Sequence, residues 1–385
     1  MSTRVVKLGT VCTVVSGSTP KSEVAEYWDG DVKWITPAEL TEDSYIITDS
    51  VRHITSQAVH DTSLKPFPEG TVILSSRAPI GKTAIAGCEM YCNQGFKNLI
   101  CSPQIDPKYL YFFLSGKTEF LNSLGRGATF KEISKAIVEN IELPLPELAV
   151  QGQISLQFEY IRTLIKQYRE QLHYLDQLVK SRFIEMFGNV SSSDWRTMEE
   201  ICPIITDGTH QPPKFVSDGI PFLFVSNITG NILTYNAEKF IDEQTYYELI
   251  KRTPIEIGDI LLSTVGSYGH PAVVKEPTRF CFQRHIAYLK PKADMVDSDY
   301  LHGAILSSIV QAQIEEKVKG IAQKTLNLSE IRTIRVPIPE MHMQRAFAHF
   351  AAETDKSKFS LKNGGKEAAI AVKYIWESLC RGTLA

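Results

Sequence analysis

Two stretches far apart in this chain spell the same phrase. "NIELPLPEL" (residues 140–148) runs into "AVQGQI", and "TIRVPIPEMHMQRAF" (residues 333–347) restates it. Pro144, Pro146, Glu147 and Gln151 return as Pro337, Pro339, Glu340 and Gln344, every pair at the same offset of 193. The phrase closes a longer repeat. "KLGTVCTVVSGSTPK" parallels "TMEEICPIITDGTHQPPK", "VKWITPAEL" parallels "FLFVSNITG", and "FPEGTVILSSRAPIGKTAI" parallels "IEIGDILLSTVGSYGHPAV". "NQGFKNLI", "DPKYLYFFL" and "GRGATFKEI" find counterparts in "FQRHIAYL", "DSDYLHGAIL" and "KGIAQKTLNLSEI", in the same order. A period this long excludes a solenoid, whose repeats run to about 20–45 residues. Each repeat is a domain, and 385 residues are too many for one ordinary core. The expected order is a domain over 1–148, a long helix over 149–189, a second domain over 190–340 and a second long helix over 341–385.

Within each repeat, "VILSS" and "ILLST" are short apolar runs with turn-rich sequels and read as strands, as do "KWIT" and "FLFVS". "KYLYFFLSG" and "YLHGAILSSIV" read as short amphipathic helices. Each domain is thus a mixed α/β (α+β) unit rich in loops.

From Ala149 to Phe187 there is no proline, and Gly152 is the only glycine. Ile154, Phe158, Ile161, Ile165, Tyr168, Leu172, Leu175 and Val179 alternate steps of four and three, a heptad seam. At 1.5 Å per residue such a helix spans roughly 50 Å, a length suited to a coiled coil. The second copy offers a poorer seam in Met343, Phe347, Phe350, Leu361, Ala368, Ala371 and Ile375. Thr354 and Ser357 fall at core-like positions, and the Gly364–Gly365 pair is expected to loosen or break the helix. Two arrangements are open: each helix packs on its own domain, or the two form an intramolecular antiparallel pair that sets the domains at a fixed distance. A half-exposed seam also implies self-association of the isolated chain.

Catalytic chemistry has no visible seat. There is no GxxxxGK[ST] phosphate loop, no HExxH and no GxSxG, and no Asn-Pro-Pro-aromatic or Asp-Pro-Pro-aromatic tetrapeptide of the kind an adenine methyltransferase carries. Cys88, Cys92 and Cys101, or Cys281 with His285, lack the second tight pair a zinc site requires, so no metal site is expected. The seven scattered cysteines suit free thiols in a reducing cytosol. With no apolar h-region at "MSTRVVKLGT" and no long apolar run, a cytoplasmic protein is expected. A net charge of −3 counts mildly against nucleic acid, but the local distribution of charge matters more than the total.

A tandem repeat of α/β domains, each followed by a long helix and without an enzyme motif, resembles the specificity subunits of Type I restriction-modification systems. The residues that carry the resemblance are "ITDGTHQPPKF", "IPFLFVSNI", "PLPELAVQGQI", "VPIPEMHMQRAF" and "KSRFIEMFGN". It covers essentially the whole chain, and the proline phrase followed by Gln and a long helix is its most specific mark. The Gly-Gly pair is a departure that puts the length of the terminal helix in doubt. The resemblance implies two tandem target recognition domains separated by two long antiparallel coiled-coil helices, a pseudo-two-fold internal repeat. Each domain would read one half of a bipartite duplex DNA target. The helices would set the spacing and dock two modification (methyltransferase) subunits, and restriction subunits would join the complex. The chain would hold no cofactor of its own; S-adenosylmethionine, ATP and Mg would belong to the partners. Rival readings are the recognition subunit of a related bipartite system that cuts beside its site, a bivalent protein-interaction scaffold, and a nuclease.

Duplex reading needs phosphate anchors and base-edge readers. The loops "SGSTPKS" and "DGTHQPPK" offer Ser18, Thr19, Lys21, Thr209, His210 and Lys214 to phosphates, though ordinary strand-capping turns would look the same. "SSRAPIGK" and "STVGSYGH" contribute Arg77, Lys82, Ser267 and Tyr268. "NQGFK" and "QRH" contribute Gln94, Lys97, Gln283 and Arg284, Gln suiting adenine and Arg guanine. Arg126, Thr129, Lys131, Lys319, Gln323 and Lys324 complete a basic-polar cluster in each half. The expected helix-pair interface is Ile154, Phe158, Ile161, Ile165, Leu172, Leu175 and Val179 against Phe347, Phe350, Leu361 and Ile375.

Overall fold

In the computed structural model, which describes residues 4–127, 131–320 and 323–380, the apolar run Val72–Leu74 is a strand buried on both faces. Successive side chains point to opposite sides of a strand. Val72 and Leu74 therefore join one core, with Tyr109, Leu110 and Phe113, while Ile73 joins another, with Ile35, Phe67 and Phe96. The run lies in a five-stranded sheet ordered Cys12–Val15, Asn98–Cys101, Val72–Leu74, Thr83–Ala86, Ile46–Ile47. A three-stranded sheet, His53–Ile54, Trp28–Ile35, Tyr91–Cys92, and the ribbon of Arg4–Lys7 with Glu142–Leu145 complete this half.

The second half repeats that topology. Its larger sheet runs Ile204–Asp207, Ile286–Lys290, Ile260–Ser263, Pro271–Val273, its smaller one Lys239–Ile241, Ile220–Leu223, Cys281–Phe282, and its ribbon pairs Trp195–Thr197 with Arg335–Pro337. Each smaller sheet has one antiparallel and one parallel pairing. The larger sheet of the second half has four strands against five. Leu261 faces one core while Ile260 and Leu262 face another, as Ile73 and its neighbours do.

Helix α1 (Pro107–Ser115) carries the aromatic run "YLYFF", and its cap residue Asp106 accepts a hydrogen bond from the Tyr109 amide at 2.9 Å. Helix α2 (Leu148–Phe187) follows the first proline phrase. Helix α3 (Ser298–Leu306) is capped by Asp297 as α1 is by Asp106. The stretch "YLHGAILSSIV" is two helices rather than one. Ser307 is extended and its hydroxyl caps the next helix, Ser308–Lys317, through the Val310 amide. Helix α4 (Met341–Cys380) follows the second phrase.

The phrase itself is a clamp. The Gln151 side chain donates to the carbonyls of Pro146 (2.8 Å) and Gln104 (3.0 Å) and accepts from the Asp106 amide (2.8 Å). Gln344 does the same with Pro339 (2.8 Å), Met295 (3.1 Å) and Asp297 (2.9 Å). The hydroxyls of Tyr109 and Tyr300 donate to the carbonyls of Pro144 and Pro337, at 2.5 and 2.7 Å. A long helix, a short helix and the ribbon between them are thus locked together by buried polar contacts, in which each bond costs more to lose than to form.

The chain divides into two units, one running up to Tyr168 and resuming at Gly364, the other covering Arg169–Asn363. Each contains half of α2 and half of α4. In the first, Ile154 and Phe158 are core residues, Ile161 is buried, Ile165 is half-buried, and Ile375 of α4 packs on the same core. In the second, Phe183, Phe187, Tyr300 and Phe347 form a ring cluster with centroids 5.1–6.1 Å apart. Val179 joins that core, Leu172, Leu175, Phe350 and Leu361 are half-buried, and Lys358 of α4 pairs with Asp176 of α2 at 2.7 Å. The contacts run antiparallel within each unit. Packing on a domain and helix pairing, posed as alternatives by the sequence, occur together. Buried Thr354 turns its hydroxyl back to the Phe350 carbonyl at 2.9 Å, and Ser357 is exposed.

The glycine pair does not break α4, which is helical through Gly364 and Gly365. The reason is tertiary. A Cβ on Gly364 would come within 3.1 Å of the Tyr168 ring, so the ring of α2 packs where a side chain would stand. Gly365 is looser, with the nearest Tyr168 atom at 3.9 Å. Gly365→Ala should therefore raise stability by about 0.5–1 kcal/mol, while Gly364→Ala should gain less or lose. Urea unfolding of the two variants measures the difference, and equal gains would refute this account.

Candidate nucleic-acid interface

In the first unit four loops meet. The first leaves strand Cys12–Val15 and passes so close to Cys92 that a Cβ on Gly17 would lie 1.7 Å from its carbonyl oxygen. Only glycine permits that approach. The Thr19 hydroxyl then donates to Gln94 of the second loop at 2.6 Å. The third loop, after Val72–Leu74, is stitched at Ser76. The Ser76 amide donates to the Gly95 carbonyl (2.8 Å) and its carbonyl accepts from the Ile133 amide (3.0 Å). The fourth is closed by reciprocal backbone bonds between Arg126 and Glu132, both 3.0 Å. Arg77, Lys131, Asn122 and Pro79 border a groove of about 510 Å³ here.

The second unit has the same stitching. Gly208 approaches the Phe282 carbonyl, 2.1 Å from an added Cβ. The Arg284 amide donates to Thr209 (3.0 Å), the Thr264 amide to His285 (3.0 Å) and the Leu326 amide to Thr264 (2.8 Å). Lys319 and Thr325 exchange two backbone bonds, as Arg126 and Glu132 do. The result is a recess of about 290 Å³ bordered by Thr264, Arg284, His285, Gln323 and Asn327.

The candidate residues therefore gather on one loop cluster per unit, but their side chains differ in availability. Ser18, Lys21, Arg126 and Lys131 are exposed and Arg77 is half-exposed. Among the described residues Arg77, Arg126 and Lys131 form no ion pair. Lys97 is 8 % exposed, with its ammonium 3.0 Å from the Glu132 carboxylate and 3.4 Å from the Ser76 hydroxyl, so it is an internal tie between loops and not a free anchor. Lys82 is half-buried and donates to the Leu40 carbonyl. Thr129 lies outside the described residues.

The second unit neutralises more of its own charge. Lys319 pairs with Glu330 at 2.6 Å, and Lys324 with Glu315 at 2.8 Å. The Tyr268 hydroxyl also donates to Glu315, with Lys324 above its ring. His210 stands 2.9 Å from Asp207, which Arg252 also engages. Lys214, Ser267, Arg284 and Gln323 are exposed; Thr209 and Gln283 are half-exposed. Burial, then the charge of Arg284, pushes the His285 pKa down. Arg284 Nε donates to His285 Nε2 at 3.3 Å, which fixes the proton of the neutral ring on Nδ1.

Sequence reasoning missed Glu132, Asp207 and Arg252. Glu132 lies 35 positions from Lys97, and nothing in either local pattern announces the pair. Among the described residues no three His, Cys, Asp or Glu side chains are gathered to hold a metal ion, and no helix is long and apolar enough to cross a membrane.

The sequence profile of the Type I restriction modification DNA specificity domain matches twice, over residues 3–174 and 193–371. The chain belongs to the Type I specificity-subunit family. Among relatives of this specificity chain, the Type I restriction enzyme MjaIX specificity subunit of Methanocaldococcus jannaschii is 29% identical over 365 residues, covering 89% of this chain and 84% of the relative. The EcoBI specificity subunit of Escherichia coli is 21% identical over 320 residues, 72% of this chain and 66% of the relative. A solved chain from work on complex assembly and conformational transition of the type I R-M system shares the fold, with a TM-score of 0.61, 18% identity, and coverage of 100% of this chain and 98% of that one.

Proposed function

We propose that this chain, as the specificity subunit of a Type I restriction-modification complex, reads a bipartite duplex target, one half with each loop cluster. The observation that carries the reading is the recurrence of one four-loop arrangement in both units, stitched by equivalent backbone bonds at Ser76 and Thr264 and by equivalent glycine approaches at Gly17 and Gly208. A shared frame with different side chains suits two half-sites of different sequence. Arg77, Arg126 and Lys131 in one cluster, and Arg284 and Lys214 in the other, supply phosphate or guanine contacts. Gln94 and Gln283 suit adenine. The long helices hold two modification subunits that bring S-adenosylmethionine and flip the target base, restriction subunits bring ATP and Mg chemistry, and this chain contributes sequence choice without catalysis. The complex works in the cytoplasm.

The test is methylation mapping by single-molecule sequencing of DNA from cells that co-express the chain with its modification partner. A split motif with an unread gap is expected. Exchanging residues 1–149 for those of a relative with another target should change one half of the motif and leave the other intact. A continuous motif, or a change in both halves, would overturn the half-site assignment.

A further inference from the structure

One place in the cores of the two units is filled differently. In the first, the rings of Tyr45, Tyr111, Phe112 and Phe158 are packed in series, with centroids 4.9 Å, 5.0 Å and 5.1 Å apart. The Arg162 guanidinium lies 4.7 Å above the Tyr45 ring, and the Tyr45 hydroxyl donates to Glu159 at 2.5 Å. Tyr45 is brought there by the fifth strand, Ile46–Ile47, which begins beside it, and the Tyr45 carbonyl takes the Ile85 amide at 2.6 Å.

The internal repeat gives the counterparts in the second unit. His302 stands for Tyr111, Gly303 for Phe112, Ala351 for Phe158 and Asp355 for Arg162. Among the described residues the larger sheet of this unit has no fifth strand and ends at Pro271–Val273. Phe347 reaches over Gly303, where an added Cβ would be 2.3 Å from its ring. A cavity of about 250 Å³ remains, open to solvent on one side. Ile232, Leu233, Tyr235, Val273 and Ala351 supply its apolar wall, and its charged lining is Asp299, Glu276, Asp355 and Lys275. Lys275 is paired with Asp299 at 3.0 Å, and Asp355 shares Lys358 with Asp176. The His302 Nε2 atom donates to the Asn231 carbonyl at 2.9 Å, so in the neutral ring Nδ1 is an acceptor. Burial pushes the His302 pKa down, against the Asn231 carbonyl and the nearby Asp355 and Asp299 carboxylates.

An apolar cavity of about 150 Å³ already admits a benzene ring. Its polar lining is rich in acceptors and carries an excess of carboxylates. We propose that this cavity binds a single aromatic ring that carries, or stands beside, a cationic group, the pair of groups that Tyr45 and Arg162 supply internally in the first unit. The ring takes the space of the absent aromatic side chains, and the cation faces Asp355 and Glu276 in place of the first unit's arginine. The proposal does not depend on the reading of DNA.

The probe is tyramine, titrated into the full chain and followed by calorimetry and by the methyl resonance of Ile232. p-Cresol serves as the neutral ring and 4-hydroxyphenylacetate as the anionic one. Tyramine should bind at a single site, several-fold tighter than p-cresol, and the anion should bind weakest. Ala351→Phe, which restores the ring found at Phe158, should abolish binding while far-UV circular dichroism is unchanged. Asp355→Asn, which leaves the cavity open, should remove the preference for the cation. A tyrosyl-arginine amide that binds tighter than tyramine would identify a polypeptide source, and weaker binding would identify a free amine; both support the site. No perturbation at Ile232 by tyramine at millimolar concentration, a preference for the anion, or binding undiminished in folded Ala351→Phe would overturn it.

Discussion

Replacing Arg77, Arg126 and Lys131 together by alanine is expected to weaken duplex binding by the chain and its modification partner by about two orders of magnitude at low salt. The slope of log affinity against log salt should shrink by about 3. Each cation released from a phosphate removes roughly one counterion from the balance, which is why the slope counts contacts while a single affinity does not. Arg77 and Lys131 border one groove and Arg126 stands on the loop that Glu132 closes beside it, and among the described residues none of the three has an acidic partner to satisfy it. Arg126 and Lys131 are exposed, so the unfolding temperature should hardly move. Lys97→Met is the contrast. It removes one positive charge from the same loops but strands the Glu132 carboxylate beside a buried methionine, so it should lower stability and leave the salt slope nearly unchanged. Fluorescence anisotropy across a salt series, with thermal unfolding alongside, separates the two. An unaltered slope in the triple variant would remove this groove from the interface.

Gln151→Leu is expected to cost about 3 kcal/mol or more in folding free energy, and Gln344→Leu a similar amount. Each glutamine is essentially buried, at 0% and 1% exposure, and each satisfies three backbone groups. Leucine keeps the bulk but orphans two carbonyls and an amide where water has little access, and a buried unsatisfied group costs about 1–3 kcal/mol. The amide belongs to Asp106 or Asp297, which caps the neighbouring short helix, so the loss reaches α1 or α3 as well. Denaturant unfolding measures the cost. A loss below about 1 kcal/mol would show that water replaces the side chain and that the clamp is not tight.

The repeated phrase shows how far a sequence carries this kind of argument. Its position before two helix-like runs was legible because proline and heptad spacing are local signals, and both helices form there. The part played by Gln151 was not legible, because its partners Gln104 and Asp106 lie more than forty positions away and are themselves ordinary loop residues. The same limit explains Lys97. In sequence it is one more cation in a Gln-Gly-Phe-Lys loop, and only the fold brings Glu132 to it.

The glycine pair marks the opposite error. Intrinsic propensity argues against a helix through Gly364 and Gly365, but propensity is a matter of about 1 kcal/mol per glycine, and the Tyr168 ring packed against that face of α4 outweighs it. The splitting of "YLHGAILSSIV" at Ser307 is a third case. Apolar periodicity continues across the serine, yet its hydroxyl serves the next helix better as a cap than as an interior residue.

The two-fold repeat, the element types, the seam residues and the loops that carry donors and cations are legible in the residues alone, because repeats, periodicity and turn chemistry are properties of neighbours along the chain. The tertiary structure decided which cations stay free and which are consumed by internal pairs. It also decided that both long helices are shared between the two units, and that the second unit keeps a cavity where the first keeps a series of packed rings. Those outcomes depend on which residues meet across dozens of positions, and no local pattern encodes that distance.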